Sequence, residues 1–387
     1  MYNIKTLNKI SPVGLEKFPA TGYNYGDEIT NPDAIMVRSA SMHEYEFEKS
    51  LKCIARAGAG VNNIPLDKCA EQGIVVFNTP GANANAVKEL VILALLMSSR
   101  RIVSAIEWVK DLEGTDAEIT KQCEKGKSQF AGPEIKGKKL GVIGLGAIGV
   151  LVCNAAVELG MKVYGYDPYV SVDNAWNLSQ AVNHSNSLKE IYENCDYITI
   201  HVPATPDTKG MINSESIAMM KNGVRIINLA RGELVNTADV AQALDANKIG
   251  CYVADFANND LLGKENVILL PHLGASTPES EDNCASMAAE ELMDFLENGN
   301  IKNSVNMPAA HMDRTGDTRI CVIHKNIKSI ISQITTMVSD NGLNIENMVN
   351  TSRGEYAYTM LDVDGNGNVV EQKLNEIDGV IRIRIIK

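Results

Sequence analysis

Apolar, β-branched runs recur along the chain with room for a helix between successive runs. Between about Asn83 and Pro271 they read "KKLGVIGL", "MKVYGYD", "CDYITIHV", "GVRIINLA", "GCYVAD" and "NVILLP". Short apolar strands alternating with helical stretches predict parallel βαβ units, hence an α/β fold with a doubly wound Rossmann-type parallel sheet over residues 83–273. From Met1 to about residue 82, shorter pieces ("AIMVRSA", "LKCIARAGAG", "GIVVFNTPG") alternate with mixed helical ones. They predict a second, smaller α/β unit of flavodoxin-like type. "STPESEDNCASMAAEELMDFLENG" predicts a helix with Thr277 as N-cap, Pro278 in the first turn and Gly299 at its end. Residues 274–308 are expected to return to the smaller unit, making it discontinuous.

The polar, aperiodic stretch Asn306–Thr318 reads as a linker, and the pattern changes after it. "RICVIH" predicts a strand, and Ile327, Ile330, Ile331, Ile334 and Val338 fall on one helical face that Gly342 ends. Two strands ("LNIENMVNTS", "EYAYTMLDV"), the turn "DGNGN", a second helix and the strand "VIRIRII" follow. That order is βαββαβ, the ferredoxin-like arrangement, over residues 319–387.

Composition narrows the partners. A net charge of −12 argues against a nucleic-acid partner, because phosphate backbones repel such a surface. A local basic pocket can still hold a small anion. The eight cysteines are scattered singly with no CxxC pair, so neither a metal site nor a disulfide framework is expected. The N-terminus lacks the apolar core of a signal peptide, and the apolar run Leu90–Met97 is too short to span a bilayer. The expectation is a reduced, cytoplasmic protein with no membrane partner.

Candidate chemistry begins at "LGVIGLGAIG", where Gly144, Gly146 and Gly149 take GxGxxG spacing around Ala147 and Ile148. A strand enters this loop and a helix leaves it. The first glycine permits the tight turn, the second lets backbone approach a pyrophosphate, and the third lets helix pack on strand. The next strand ends at Asp167, 18 residues beyond Gly149. A carboxylate there accepts from a ribose and repels a 2′-phosphate, which favours NAD over NADP. Arg231 and His272 follow two other predicted strands, at the sheet end where ligands bind. Histidine titrates near the working pH and can take a hydroxyl proton, and arginine holds an oxyacid bidentately.

"GLGAIG", "NLARGELVN" and "LPHLGASTPE", with "VRSAS", "RAGAGVNNI" and "NTPGANANAV", resemble the motifs of the NAD-dependent D-2-hydroxyacid dehydrogenases across nearly all of residues 30–310. The resemblance implies an Arg, Glu, His catalytic set. Arg231 and His272 match two of these. The glutamate motif departs: "ADFANND" puts Asp255 in the slot of an aspartate that orients the nicotinamide amide, and Asp260 in the glutamate slot, 29 residues after Arg231. Asp260 is then expected to orient His272 and raise its pKa. The resemblance also places Arg38, Ser39 and Arg56 toward the substrate, makes the smaller unit the substrate-binding domain, and puts Lys127 near a substrate phosphate.

By the same reasoning the C-terminal region resembles an ACT domain, a small-molecule sensor. His324, Asn326 and Asn344 match the positions that hold L-serine in relatives, while Lys328 and Ser329 replace the usual Pro-Gly. The implied activity is NAD-dependent oxidation of 3-phospho-D-glycerate to 3-phosphohydroxypyruvate, the first step of L-serine biosynthesis. The alternatives are another 2-hydroxy acid (glycerate, lactate or 2-hydroxyglutarate) and a non-catalytic NAD-sensing protein. The apolar stretch Asn85–Trp108, expected as one long helix, implies a homodimer or homotetramer.

Overall fold

Strand-forming runs rich in Val and Ile bury both faces when helices cover a parallel sheet, and this accounts for the order of elements throughout. A computed structural model of the chain describes residues 1–387, which divide into two units, Met1–Asn83 with Pro278–Lys387, and Ala84–Thr277.

The second unit holds a seven-stranded parallel sheet. Its order is Val267–Leu269, Ile249–Ala254, Val224–Asn228, Tyr197–Ile200, Lys139–Ile143, Lys162–Tyr166 and Asn183–His184. Winding starts at Lys139–Ile143, runs outward to one edge, returns beside it at Tyr197–Ile200 and runs to the other edge. The crevice between those two strands is the switch point at which such sheets bind ligands. One face packs on Ile191, Ile217, Val240 and Leu244, and the other on Val91, Leu95, Val150 and Cys153.

The stretch expected as a single helix from Asn85 to Trp108 breaks in two, Ala84–Arg100 and Ile102–Lys110. The hydroxyls of Ser98 and Ser99 both donate back to the Leu95 carbonyl at 2.9 and 2.8 Å, loosening the last turn. Arg101 then takes a left-handed φ of 48° and reaches the Gln129 carbonyl and Glu265. No helix of the chain is long and apolar enough to cross a membrane.

The first unit contains a five-stranded parallel sheet in the order Tyr23–Gly26, Tyr2–Leu7, Ala34–Val37, Cys53–Arg56 and Val75–Asn78. The helix Pro278–Asn298 lays Ala285, Ala288, Leu292 and Phe295 against Met36, Ala55 and Phe77. The C-terminal strands form an antiparallel sheet in the order Asn344–Arg353, Tyr356–Asp364, Thr318–Lys325 and Val380–Ile386. Its helices cover one face through Ile330, Ile334, Val338 and Leu374. The other face, with Ile323, Tyr358, Met360 and Ile386, enters the same core as the helix Pro278–Asn298.

Side chains of this sheet also close that helix. Arg384 donates to the carbonyls of Phe295 and Leu296 at 3.0 and 2.8 Å, Arg319 to that of Asn298 at 2.8 Å, and the Tyr358 hydroxyl to that of Gly299 at 2.7 Å. They satisfy carbonyls that every helix end leaves without partners.

Two expectations change here. The stretch read as a linker is held down: Met307, Ala310 and Met312 are buried, and Ala310 bridges to Ile301. Ile327, expected on the helical face, precedes the helix Ile330–Asp340 and is 47 % exposed. Ser329, expected in a slot usually held by glycine, starts that helix at φ 65°, a left-handed conformation glycine adopts without strain.

Candidate active site

The glycine loop leaves Lys139–Ile143 and caps the helix Ala147–Glu158. Gly144 turns at φ 94°, and a Cβ there would meet the His201 carbonyl at 2.6 Å. A Cβ on Gly149 would lie 1.9 Å from the Gly144 carbonyl, so helix and strand meet with no space for a side chain. At Gly146 nothing lies within 4 Å of a Cβ, which leaves open room above the helix N-terminus. Beside this loop, Asp167 accepts from the Leu145 and Tyr169 amides, both at 2.8 Å. His201 faces Gly144, its Nε2 3.0 Å from the Thr199 hydroxyl, and burial pushes its pKa down to about 4. It stays neutral at working pH. The arrangement fits a dinucleotide: open backbone for a pyrophosphate, then a fixed carboxylate for a ribose.

A second cluster follows the strands Val224–Asn228 and Ile249–Ala254. Asn228, fully buried, brackets the Arg231 loop, accepting the Ala230 and Arg231 amides and donating to the Arg231 carbonyl at 2.8 Å. The guanidinium of Arg231 is exposed and bonds only to the carbonyl of Ala230. Phe256 joins the two candidates: it is the nearest side chain to a Cβ on Gly232, and its ring centroid lies 5.0 Å from that of His272. His272 is exposed, sits at φ 59° and has no hydrogen bond on either ring nitrogen.

The two aspartates part company. Asp255, 1 % exposed, accepts the Leu273 and Gly274 amides, both at 2.7 Å, and its carbonyl accepts the His272 amide at 3.1 Å. The carboxylate expected to face a nicotinamide amide holds, in this structure, the loop that carries His272. Asp260, expected beside the histidine, accepts the Thr237 hydroxyl at 2.6 Å and has no bond to His272. Thr237 opens the helix Thr237–Asp245, so its hydroxyl holds the Asp260 carboxylate at the start of that helix. Asn228 and Phe256 are the residues that motif reading passed over. The signal was present: Asn228 opens "NLARGELVN" and Phe256 lies within "ADFANND", each at a strand end.

In the other unit, Arg38, Ser39 and Arg56 cluster at the ends of adjacent strands. Arg56 donates to the Arg38 carbonyl at 3.0 Å, and Asn8 donates to the Ser39 hydroxyl at 3.1 Å. Arg38 is paired with Glu281 at 2.8 Å. Lys127 lies on an exposed turn, bonded to Glu124 at 2.5 Å. His324 is 1 % exposed with both nitrogens engaged, Nδ1 with the Lys325 carbonyl and Nε2 with the Thr359 hydroxyl, each at 2.8 Å. Burial lowers its pKa. Asn326 donates to the Gly354 carbonyl at 3.2 Å, and Asn344 is exposed at the end of the edge strand.

Residues 92–274 match the family model described as D-isomer specific 2-hydroxyacid dehydrogenase, NAD binding domain. The D-3-phosphoglycerate dehydrogenase of Haemophilus influenzae is 33 % identical over 340 residues, covering 84 % of this chain and 79 % of that protein. That of Bacillus subtilis is 35 % identical over 74 % of this chain, which spans only 54 % of that protein's length. The NAD⁺-bound 3-phosphoglycerate dehydrogenase of Entamoeba histolytica superimposes with a TM-score of 0.61 at 27 % identity, over 79 % of this chain and 98 % of that one.

Proposed function

The chain belongs to the D-isomer-specific 2-hydroxyacid dehydrogenase family, and from that premise we propose that it catalyses NAD-dependent oxidation of 3-phospho-D-glycerate to 3-phosphohydroxypyruvate. The observation that carries this reading is that Arg231 and the packed ring pair Phe256 and His272 follow strands of the same sheet as a glycine loop and ribose carboxylate suited to NAD. When bound, the nicotinamide ring supplies the hydride exchange with substrate C2. Gly144, Gly146, Ala147, Ile148 and Gly149 would hold the pyrophosphate, and Asp167 the adenosine ribose. His272 takes the C2 hydroxyl proton on Nε2 during oxidation and returns it during reduction. Arg231 holds the carboxylate and polarises the forming carbonyl, while Arg38, Ser39, Arg56 and Lys127 bind the remaining anionic groups. Asp255 is a positioning residue that fixes the His272 loop.

The test follows NADH absorbance with phosphohydroxypyruvate, hydroxypyruvate, 2-oxoglutarate and pyruvate. Turnover confined to the phosphorylated substrate supports the proposal, and preference for another 2-oxoacid refutes it. The bond from Thr237 to Asp260 favours one second reading, an NAD-binding protein without turnover. Tight NADH binding with no oxidation of any of the four acids would support that.

The βαββαβ order of the C-terminal region supports an ACT-type sensor. L-serine there would meet Asn326 and Asn344, with His324 shaping the site through Thr359. Leu93, Leu96, Ile106 and Val109, 42–52 % exposed on the two helices either side of Arg101, support a homodimer. Sedimentation as a monomer at micromolar concentration would refute it.

A further inference from the structure

Three adjacent strands of the seven-stranded sheet, Lys139–Ile143, Tyr197–Ile200 and Val224–Asn228, lead at their carboxyl ends into the glycine loop, His201 and the Arg231 loop. Their amino ends frame a separate cavity of about 120 Å³, whose lining includes Lys138, Asp196, Tyr197, Lys221, Asn222 and Arg225. Three cations there face one acid, in a chain whose net charge is −12. Lys139 and Lys162, register neighbours on adjacent strands that also lack an ion pair, add to the positive field.

Helix C-termini gather at this end of such a sheet, and lysines there ordinarily serve their free carbonyls. Lys248 does so, donating to the Met220 carbonyl at the end of Ser214–Met219 and to Asn222 Oδ1. The cations lining the cavity are disposed differently. Asp196 accepts the Lys139 amide at 2.8 Å with one oxygen and Lys221 at 2.9 Å with the other. Lys138, exposed, makes no ion pair or side-chain hydrogen bond, and only its field reaches Asp196.

Arg225 is half-buried and has no carboxylate partner. Its Nε donates to the Ser98 carbonyl at 3.0 Å and Nη1 to that of Gly223 at 3.4 Å, and the guanidinium lies 5.3 Å from the centre of the Tyr197 ring. Two hydrogen bonds and an aromatic face hold the group in place, so its remaining donor is presented with little further loss of freedom. That donor, Nη2, bonds to nothing in the chain. Asn222, exposed, keeps its Nδ2 unbonded as well, since Lys248 takes its oxygen. Lys138 Nζ, Arg225 Nη2 and Asn222 Nδ2 are therefore donors without acceptors at one cavity, and none is shut away from solvent.

We propose that this cavity binds one tetrahedral oxyanion, phosphate or sulfate, either free or as the terminal group of a small ester. Arg225 and Lys138 supply charge-assisted donors, Asn222 a neutral one, and Lys221 the charge that offsets Asp196. The volume is far below that of pockets for drug-sized molecules and suits a single anionic group. Because Arg225 also holds the Ser98 carbonyl, an occupant braces the end of the helix Ala84–Arg100. The cavity lies at the opposite end of its strands from the Arg231 loop, so binding does not depend on the dehydrogenase reading.

Calorimetric titration of the full chain at low ionic strength, with phosphate, sulfate, glycerol 2-phosphate and acetate, tests this. The expected result is saturable binding of phosphate and sulfate at millimolar concentration or below. Acetate, with one charge and two oxygens, should bind at least about tenfold more weakly. Glycerol 2-phosphate binding as tightly as phosphate assigns the terminal group of an ester, and its failure to bind assigns the free anion. Lys138→Gln, on the surface, should weaken phosphate at least about threefold. Arg225→Gln should weaken it at least about tenfold, with the fold checked by circular dichroism. No saturable binding, or binding unchanged in both variants, overturns the proposal. Acetate binding as tightly as phosphate overturns the oxyanion assignment. Binding kept in Arg225→Gln and lost in Arg231→Gln overturns the location and moves the anion to the candidate active site. None of these readouts involves turnover, so failure of the dehydrogenase reading leaves them intact.

Discussion

Replacing Glu291 by glutamine should stabilise the first unit, increasingly so as pH rises. In the unfolded chain this carboxyl ionises near 4.5, whereas in the folded unit burial holds its proton up to about 8. Between those values the unfolded state has released a proton that the folded state keeps, so raising the pH favours unfolding. Each pH unit in that window removes about 1.4 kcal/mol, and the window of about 3.5 units sets a ceiling of about 5 kcal/mol. The contribution of the protonated carboxyl is fully present below about pH 4.5 and lost as pH rises through about 8. Glutamine keeps an acceptor for Asn303, does not titrate, and has nearly the same volume. Wild type and variant should match near pH 4.5 and diverge in the variant's favour up to about pH 8, then run parallel.

The choice of assay follows from where the probes sit. Both tryptophans, Trp108 and Trp176, belong to the other unit, so intrinsic fluorescence does not report on this one. Hydrogen exchange of the amides in Pro278–Asn298, followed at several pH values and corrected for intrinsic exchange, reads the opening free energy directly. A difference between wild type and Glu291→Gln that stays constant with pH would refute the reasoning, because a carboxyl without a displaced pKa contributes no slope.

Other perturbations address the catalytic unit and the C-terminal clamp. Gly149→Ala would put a Cβ 1.9 Å from the Gly144 carbonyl, so the helix must leave the strand and NADH affinity should fall at least about tenfold by fluorescence titration. Unchanged affinity would show that the loop yields. His272→Gln should lower kcat by about 100-fold to 10,000-fold with NADH binding intact; a change in KM alone would remove it from proton transfer. Asp260→Ala should lower kcat more than about tenfold, while Thr237→Val should stay within about twofold. Equal effects would reduce Asp260 to a contact at the start of its helix. Asp362→Asn leaves Arg319, 0 % exposed, without its bidentate partner and should destabilise by about 3–5 kcal/mol in denaturant unfolding.

Periodicity sufficed for the sheets because their strands are local in sequence and buried on both faces. "KKLGVIGL" through "NVILLP" each carry enough β-branched residues to define a strand, and the turn chemistry between them leaves few topologies. It was less informative where side chains compete with the backbone. Between Asn85 and Trp108 the polar run Ser98–Arg101 is compatible with a continuous helix, yet two serine hydroxyls turned back on one carbonyl end the helix at Arg100. Nor does composition distinguish a loose linker from Met307–Met312, whose polar neighbours sit in the sequence while its own methionines enter the core.

The site divides along the same line. The places of Gly144, Gly149 and Asp167 at the turn, the helix–strand contact and the strand end were legible because backbone geometry within one βαβ unit fixes them. For Asp255 and Asp260 the sequence identifies two carboxylates at roughly the right spacing but not their partners. Spacing along the chain measures reach only to within a residue or two, whereas a hydrogen bond is decided over less than 1 Å. Asp255 finds two amides of the loop it was expected to sit beside, and so braces His272 from behind. Asp260 meets a threonine hydroxyl 23 residues earlier, a competitor that no catalytic motif includes. Thr237 engages only one of the two Asp260 oxygens, so the other keeps its capacity to accept a second donor. The carboxylate at this position was legible in the sequence, whereas the hydroxyl that takes one of its oxygens was not.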